Sequence, residues 1–362
     1  MIYLAYIIFA FTLIQLIVAI INSVYIQLPK SGICNFNGLV SVLIPARNEE
    51  SNIANLLSDL QNQDYKNIEI IVFNDLSTDR TEEIVTNIAK TDTRIRLVNS
   101  EGLPQGWLGK NYACHSLSNI AKGEYLLFLD ADVRVKDGII ANSIALAEKH
   151  KTGLLSIFPK QKMVSVGEYL TVPVMNYILL TLLPLVLVLK SKFASMAAAN
   201  GQFMLFEREK YFETLPHEKF KNNKVEDIEI ARYFKQKSIP VVCTLGDDTI
   251  ECRMYKGLNE AVNGFSKNVV NFFGNSFFAA TLFWIVTTFG FLVIFSELST
   301  ILFCTFLITV LATRVVVSFI SKQNIFLNLL LLVPQQLTLG ILIYKAVIYK
   351  FNKQLKWKGR NI

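Results

Sequence analysis

The sequence has little histidine and no closely spaced pair of cysteines, and both shortages narrow the functions open to it. Its three histidines are scattered along 362 residues, which argues against a histidine-based metal site. None of its five cysteines forms a Cys-x-x-Cys pair, so we expect reduced thiols that pack in a core rather than a disulfide framework. The sequence also lacks internal repeats and low-complexity tracts.

Charge is scarce relative to apolar character. Only 18% of the residues are charged, 52% are hydrophobic, and the mean hydropathy is +0.38. This balance indicates a globular domain combined with membrane segments. The net charge of +7 does not indicate nucleic acid, because much of the basic excess follows apolar segments, as in "YKFNKQLKWKGR". That placement suits anionic lipid headgroups, so we expect a membrane as partner and no nucleic acid.

The first residues predict a transmembrane anchor over 1–28, because residues 2–28 carry no charge. About 20 apolar residues suffice to cross a bilayer. A cleaved signal peptide is a poorer interpretation, since neither a positive start nor a small-residue cleavage site is evident. The first positive charge after this run is Lys30. The positive-inside tendency therefore places the following domain in the cytosol.

A second membrane region is predicted over 276–350, followed by a basic tail over 351–362. Residues 276–295 and 298–319 have the length of two crossings, and the apolar run 325–344 is interrupted by "VPQQ". Three full crossings would place the tail outside, whereas a re-entrant third segment would keep it in the cytosol. These alternatives stay open, and both make the chain a multi-pass protein of the cell membrane.

Two further segments are predicted to lie at the membrane surface. Residues 256–273 place Leu258, Val262, Phe265, Val269 and Phe272 at helical spacing, which predicts an amphipathic helix in the membrane interface or packed on the soluble domain. Residues 169–189 are long enough to cross, but they contain two prolines and an asparagine.

Residues 38–160 alternate between strand and helix patterns. The runs "LVSVLIPA", "IEIIVFND" and "IRLVNS" predict strands, with helical spacing between them. This order predicts a parallel α/β sheet, and ligands of such sheets bind beyond the carboxyl ends of the strands. Arg47, Asn48, Asp75, Asp130 and Asp132 all fall at predicted strand ends.

The pair Asp130 and Asp132 follows the apolar run "YLLFL". Residues two apart share a face of a strand, so we expect the two carboxylates side by side. Like charges so placed are unfavourable unless one is protonated or a cation lies between them. Mg²⁺ or Mn²⁺, held by these carboxylates and a substrate diphosphate, fits this chemistry. A solvated strand end is the alternative.

Five stretches in order resemble family 2 glycosyltransferases: "VSVLIPARNEE", "IVFNDLSTDRT", Gly109-Lys110, Asp-Ala-Asp and "VEDIEIARYF". The resemblance covers residues 38–255 and implies an α/β GT-A (Rossmann-like) domain that uses a nucleotide-diphosphate sugar. Its nucleotide-sugar half would reach to about residue 150, with the acceptor half after it. "PQGWLGKNYAC", "RMYKGLNEAVNGFSKN" and "WKGR" resemble a membrane-bound branch associated with carotenoid and hopanoid pathways.

The resemblance also implies roles for single residues. Asp75 would bind the base, Lys110 the nucleotide or diphosphate, and Asp130 the ribose or the metal that Asp132 holds. Arg253 would reach the diphosphate or a lipid headgroup, and Asp79 would support the nucleotide loop or begin a helix. The residues that would line the nucleotide pocket are Pro45, Ala46, Arg47, Asn48 and Glu49.

Asp227 matches the family's catalytic base, and Glu226 precedes it. A carboxylate there would take the proton of an acceptor hydroxyl, although acidic residues also favour the first turn of a helix. Since Asp132 and Asp227 would share one site, residues 169–189 are predicted to lie in the interface or to re-enter rather than to cross once. There they would form a route for a lipid acceptor.

The sequence therefore predicts an inverting, metal-dependent hexose transfer, with UDP-glucose as donor and a carotenoid acid or other membrane lipid as acceptor. A polyprenyl-phosphate or polysaccharide glycosyltransferase is the alternative enzyme. The lack of a Gln-x-x-Arg-Trp run argues against a long polymer as product. A membrane scaffold with a degenerate sugar-nucleotide fold is the alternative without catalysis.

Overall fold

The computed structural model describes residues 1–25, 34–352, 356–357 and 360–361. The chain divides into two units. The helical unit comprises Met1–Ile26, Gln161–Val186 and Arg253–Leu355. The sheet unit comprises Gln27–Lys160, Leu187–Cys252 and Lys356–Ile362.

The strands in chain order are β1 (Val40–Ala46), β2 (Ile68–Asn74), β3 (Ile95–Asn99), β4 (Tyr125–Leu129), β5 (Val133–Val135), β6 (Leu154–Phe158), β7 (Lys160–Gln161), β8 (Phe203–Glu207), β9 (Val241–Leu245), β10 (Ile250–Cys252), β11 (Lys356–Trp357) and β12 (Arg360–Asn361). The helices in chain order are α1 (Ile2–Val24), α2 (Ile53–Gln61), α3 (Thr81–Ala89), α4 (Gly109–Ile120), α5 (Ile139–His150), α6 (Val166–Leu182), α7 (Val186–Lys190), α8 (Arg208–Thr214), α9 (Pro216–Lys219), α10 (Glu226–Gln236), α11 (Leu258–Asn268), α12 (Phe277–Glu297), α13 (Thr300–Ile320), α14 (Ile325–Leu330) and α15 (Leu332–Asn352). A 3₁₀ helix, Val269–Phe273, follows α11.

The sheet unit is built on seven strands in the order β3-β2-β1-β4-β8-β6-β9. Strands β1 to β4 are mutually parallel, as predicted, whereas β8 runs antiparallel to both β4 and β6. The sheet is therefore mixed. Its central strands are apolar on both faces, since β1 is buried from Val40 to Ile44 and β2 from Ile70 to Asn74, which is the pattern of a sheet covered by helices on two sides.

Among the described residues of the helical unit, four helices are long and apolar enough to cross a membrane: α1, α12, α13 and residues 332–351 of α15. Helix α1 packs on α12 and α13 through a small apolar cluster that includes Ala5, Ile8, Ile294 and Phe306. Gly290 lets α12 approach closely, because a Cβ atom there would lie 2.8 Å from Ile8. Small residues allow such close packing of membrane helices.

Helix α6 covers most of the predicted segment 169–189, and with 17 residues it is shorter than the four candidate spans. It continues through Pro173, which cannot donate to the carbonyl of Tyr169 one turn earlier. The side chain of Gln335 replaces that donor, with Nε2 2.9 Å from the Tyr169 oxygen. The predicted interfacial position of 169–189 stays a prediction.

Several boundaries differ from the sequence prediction. The third apolar run breaks at Leu331 rather than at "VPQQ", because Pro334 lies in the first turn of α15, where a missing N–H costs nothing.

The buried face of α11 also differs from the sequence prediction. Leu258 is 43% exposed, so the buried apolar face of α11 is formed instead by Ala261, Val262 and Phe265. The predicted basic tail and the end of the 1–28 anchor lie largely outside the described residues.

Candidate active site

The carboxyl ends of β1, β2 and β4 meet at one edge of the sheet. Pro45 and Ala46 are the last residues of β1, Asp75 follows β2, and Asp130 follows β4. Because these strands are parallel neighbours, the polar residues that follow them emerge on the same side. The buried backbone of Asp75 donates to the carbonyl of Ala46 at 2.8 Å, which continues the ladder beyond the strands.

The loop after β1 and the loop after β2 are joined by hydrogen bonds. Arg47 Nη1 donates to the carbonyl oxygen of Asp75 at 2.6 Å and lies 3.9 Å from its carboxylate. Asn48 has a positive φ of 53°, a conformation that asparagine tolerates better than most residues. It donates from its backbone to Ser77 Oγ and accepts from the backbone of Thr78 through Oδ1. The predicted nucleotide loop is therefore held in one shape.

Asp79 ties the same two loops together one step further along. Its Oδ2 accepts from the backbone of Glu50, and its Oδ1 accepts from the backbone and hydroxyl of Thr81. Burial would raise the pKa of this carboxyl, but these hydrogen bonds lower it. Helix α3 begins at Thr81, so Asp79 both links the two loops and accepts from the first N–H group of the helix.

Lys110 lies in the first turn of α4 and faces three elements. Its Nζ is 2.7 Å from Asp130 Oδ1, donates to the carbonyl of Gly201 at 3.2 Å, and is 3.7 Å from Glu226 Oε1. Burial lowers the pKa of Lys110, but the charges of Asp130 and Glu226 outweigh it and raise the pKa above its usual range. Lys110 therefore stays a cation at neutral pH.

Glu226 and Asp227 begin α10, where the helix dipole favours acidic side chains. Asp227 Oδ1 accepts from the backbone of Ile228 at 2.8 Å, and Oδ2 accepts from the backbone of Gly201 at 2.9 Å. Burial raises the pKa of Asp227 despite these bonds. Burial and the charge of Asp227 raise the pKa of Glu226 to about 7, against the opposing effect of Lys110.

Gly201 is the residue of this site that the sequence analysis missed. A Cβ atom at Gly201 would lie 3.0 Å from Lys110 Nζ, 3.5 Å from Glu226 Oε1 and 3.6 Å from Asp227 Oδ2. The absence of a side chain therefore lets the lysine and the two acids gather around one backbone segment. The only signal in the sequence is a glycine two residues before the apolar strand "FMLFE", which by itself does not indicate a site.

Asp132 is more deeply enclosed than Asp130. The two residues lie in the turn between β4 and β5, so the strand alternation from which their proximity was predicted does not apply. Burial and the charges of Asp130 and Glu49 raise the pKa of Asp132 to about 7, although Lys110 and a hydrogen bond with the Cys252 thiol lower it. Within the described part of the chain, Asp132 Oδ1 is buried without a hydrogen-bond partner.

That orphaned oxygen fits a divalent cation, because a positive charge would relieve both its lack of a partner and the repulsion from Asp130 and Glu49. The described residues contain no group of three or more histidine, cysteine or acidic side chains placed to hold a metal. Asp130 is already paired with Lys110. A metal here would therefore take one protein oxygen from Asp132 and most of its ligands from a bound diphosphate and water.

Arg253 belongs to the helical unit, where it pairs with Glu168. Its Nη2 is 2.9 Å from Glu168 Oε1, and the Glu168 side chain is 1% exposed. Burial would raise the pKa of Glu168, but hydrogen bonds from Arg253, the Val164 backbone and the Ser165 hydroxyl lower it to about 2. This pairing gives Arg253 a structural role, and its contact with a diphosphate stays a prediction.

Comparisons with known proteins show what the domain is similar to. Residues 41–212 match the profile described as Glycosyl transferase family 2. A 4,4'-diaponeurosporenoate glycosyltransferase of Staphylococcus haemolyticus (strain JCSC1435) is 27% identical over 239 residues, which are 64% of this chain and 60% of that protein. A GalNAc(5)-diNAcBac-PP-undecaprenol beta-1,3-glucosyltransferase of Campylobacter jejuni is 33% identical over 33% of this chain and 37% of that protein.

Among solved structures, the mannosyltransferase PcManGT of Pyrobaculum calidifontis, in complex with GDP-Man and Mn²⁺, matches with a TM-score of 0.57 at 16% identity. The match covers 95% of this chain and 99% of that one, and at this identity it speaks for the fold alone. The predicted fold and the predicted resemblance to carotenoid-pathway enzymes are thus confirmed. Residues 41–212, just under half of the chain, match the family 2 profile, and the fold is that of GT-A glycosyltransferases. Three of the four candidate membrane spans found among the described residues follow this part of the sequence.

Proposed function

We propose that this chain transfers a hexose from a nucleotide-diphosphate sugar, UDP-glucose, to an apolar membrane acceptor such as a carotenoid acid or another lipid. The observation that carries the proposal is the gathering of Lys110, Asp130, Glu226 and Asp227 around Gly201, at the edge where the parallel strands end. A cation, a carboxylate held for proton transfer and a family 2 domain together suit sugar transfer better than any other reaction.

The donor would lie along this edge. The joined loops after β1 and β2 present Arg47, Asn48 and Asp75 to the nucleoside, and Lys110 offers a fixed positive charge to the diphosphate. When bound at Asp132, Mg²⁺ or Mn²⁺ supplies positive charge beside the departing diphosphate. PcManGT, a protein of similar fold, was solved with GDP-Man and Mn²⁺, so a nucleotide sugar and a metal are compatible with this fold.

Asp227 would act as the base. The acceptor oxygen attacks the anomeric carbon, the bond from that carbon to the diphosphate oxygen breaks, and the acceptor proton passes to Asp227. Two backbone N–H groups fix the carboxylate, and burial raises its pKa, which makes it a stronger base than a solvated aspartate. One direct displacement inverts the anomeric configuration and needs no covalent enzyme intermediate.

The acceptor class is inferred from the helical unit and from the names of the relatives. The described residues contain four candidate membrane spans, and a protein anchored by them would meet acceptors that are dissolved in the membrane. One relative is named for a carotenoid acid and another for a lipid-linked saccharide. A carotenoid acid would yield a glycosyl ester, and its carboxylate would need less help from Asp227 than an alcohol.

We place the sheet unit on the cytosolic face of a multi-pass cell-membrane protein, where nucleotide sugars are made. The support is the uncharged α1 followed by Lys30 in the sequence. Glycosylation-site mapping at positions after 190 tests this placement. Modification of those positions from outside the cell would contradict it.

The main experiment measures nucleoside-diphosphate release from UDP-glucose by membranes that contain the chain. It compares Mn²⁺ or Mg²⁺ with a chelator, and the presence with the absence of an apolar lipid extract. Asp132→Asn and Asp227→Asn are the test variants, and Glu83→Gln, an exposed acid on α3, is the matched control. We expect release that requires metal, lipid and both aspartates and that survives in the control.

The identity of the labelled product separates the alternatives. One sugar on a pigment or lipid supports the proposal, whereas a sugar on a polyprenyl diphosphate supports the second candidate, which the Campylobacter relative favours. If no nucleotide sugar is consumed under any condition, and Asp132→Asn leaves the cellular phenotype unchanged, the chain is a scaffold and the proposed activity is wrong.

A further inference from the structure

Arg314 is a buried cation inside an apolar helix of the helical unit. It is the sole charged residue of α13 and is 4% exposed. It stands six residues before the end of that helix, which is about 9 Å along the axis. Ionisable residues in membrane-spanning helices are costly and usually mark a functional site. A cation in this position therefore needs an anion to balance its charge.

The helical unit itself offers no such anion among its described residues. Its sequence contains only Glu168, Glu260 and Glu297 as acidic residues. Glu168 is paired with Arg253, Glu260 accepts from the backbone of Lys256, and Glu297 is the last residue of α12. None of the three forms an ion pair with Arg314 in the part of the unit that the structure describes.

The guanidinium contacts neutral groups in the part of the chain that the structure describes. The face of Tyr177 lies 3.7 Å from its central carbon, and Gln335 Oε1 accepts from Nη1 at a long 3.4 Å. A ring face and an amide oxygen attract a cation, but they carry no net charge to neutralise it. The Gln335 side chain is not free to rotate and shorten its hydrogen bond with Arg314, because its Nε2 donates to the carbonyl of Tyr169 and to Asn328 Oδ1.

A line of amide side chains leads from Arg314 to the end of α13. Gln335 contacts Asn328, which donates to Ser318 Oγ and to Gln323 Oε1, each at 2.9 Å. Gln323 lies just beyond the helix and is 8% exposed, and its Nε2 is a buried donor without a partner among the described residues. An unpaired buried donor at the far end of this line of amides, in addition to a cation that lacks an anion, is a second sign that an acceptor group is missing.

We propose that Arg314 and these amides form a binding site for the oxyanion head, carboxylate or phosphate, of one membrane lipid. A guanidinium presents two parallel N–H groups to such a head, and an apolar tail would lie against the exposed apolar surface of the spans. The site lies wholly within the helical unit, so the proposal stands whether or not the sheet unit transfers sugar.

The test is native mass spectrometry of the full chain in mild detergent, titrated separately with oleate, phosphatidic acid, phosphatidylcholine and inorganic phosphate. We expect one oleate or one phosphatidic acid to bind at least tenfold more tightly than phosphatidylcholine. Equal binding of phosphatidylcholine, or saturation by inorganic phosphate alone at the same concentration, would overturn the lipid site.

Variants then locate the binding. Arg314→Gln should lose the preference, Arg314→Lys should weaken it because a point charge replaces the fork, and Lys322→Gln should keep it. Lys322 is the matched control, since it is an exposed cation just after the same helix. If Arg314→Gln does not fold, the wild-type titration and Arg314→Lys still decide. An unchanged preference in Arg314→Lys and Arg314→Gln assigns the lipid elsewhere and refutes the proposal.

Discussion

The backbone N–H of Gly201 donates a 2.9 Å hydrogen bond to Oδ2 of Asp227, while its carbonyl accepts from Lys110 Nζ. One peptide segment thus positions both the proposed base and the cation proposed to meet the diphosphate. Their separation depends on the missing side chain, because a Cβ atom would come within 3.0 Å of the lysine. This arrangement gives the first prediction.

Gly201→Ala should lower kcat by about tenfold to a hundredfold, because Lys110 must move away from Asp130 or from the alanine methyl group. Steady-state kinetics of sugar transfer would measure it. A double-mutant cycle with Lys110→Ala provides the control. When the lysine side chain has been removed, the methyl group added by Gly201→Ala should lower kcat little further. An equal loss from Gly201→Ala in both backgrounds would contradict this account.

Asp227→Asn should lower kcat by about 10² to 10⁴-fold with little change in KM for the donor, as expected for loss of a general base. An amide also fits this position poorly, since both carboxylate oxygens accept from backbone N–H groups. Glu226→Gln should cost less, because Glu226 contacts Lys110 rather than fixing a reacting proton. If the two losses proved equal, or larger for Glu226→Gln, the base would have to be reassigned.

Binding of a divalent metal should depend on a bound nucleotide diphosphate. Among the described residues, Asp132 Oδ1 is a buried carboxylate oxygen without a hydrogen-bond partner, and Asp130 is held by Lys110. Electron paramagnetic resonance of Mn²⁺ should therefore show little binding to the chain alone and clear binding once UDP is added, lost in Asp132→Asn. Tight Mn²⁺ binding without nucleotide would mean that the protein supplies more ligands than this site contains.

Lys235→Met should lower the stability of the sheet unit by about 1–3 kcal/mol, the cost of leaving buried acceptors unpaired. The 7% exposed Lys235 donates from Nζ to the carbonyls of Leu187, Val188 and Ser191 at 3.2, 2.5 and 2.7 Å. It thereby ties the end of α7 to α10. Lys237→Met, two residues along and exposed, is the control in urea unfolding and should have little effect.

Acid should destabilise the sheet unit through His217. Burial, aided by the charges of Lys110 and His115, lowers the pKa of His217 to about 3, and its Nδ1 is 2.8 Å from the Tyr211 hydroxyl. Between about pH 6.5 and pH 3, His217 therefore binds a proton in the unfolded chain but not in the folded chain. Stability is complete above about pH 6.5 and falls by up to about 1.4 kcal/mol per pH unit towards pH 3.

Comparison of wild type with His217→Gln by urea unfolding between pH 4 and 8 measures this contribution. Glutamine keeps a polar side chain but does not titrate, so the stability of the variant should depend less on pH below 6.5. Parallel curves for the two proteins would show that other groups cause the acid sensitivity.

Local pattern was enough to predict the strands and the edge where their polar ends gather. The runs that end at Ala46, Asn74 and Leu129 are mostly apolar, and burial of both faces favours a strand in each case. The membrane helices follow from length and hydropathy in the same way.

Tertiary pairing could not be predicted in this way. The position of β8 between β4 and β6, and with it the place of Gly201, depends on contacts between segments distant in sequence. The break at Leu331 was misplaced for a different reason, since the hydropathy pattern put the interruption at "VPQQ", whereas Pro334 lies in the first turn of α15 and does not break the helix. Arg314 was overlooked because one charge barely alters the hydropathy of a long apolar run.

The order of the strands along the chain also has a consequence for biosynthesis. Strand β6 is made before residues 161–186 of the helical unit, and β8, which must lie between β4 and β6, is made after them. When β6 has left the ribosome and β8 has not yet been made, the edge of β4 that will pair with β8 is unpaired. Such an edge can pair with a strand of another chain. Until β8 is made, that edge stays open, so the interval in which residues 161–202 are synthesised is the one in which the nascent chain is most prone to aggregate.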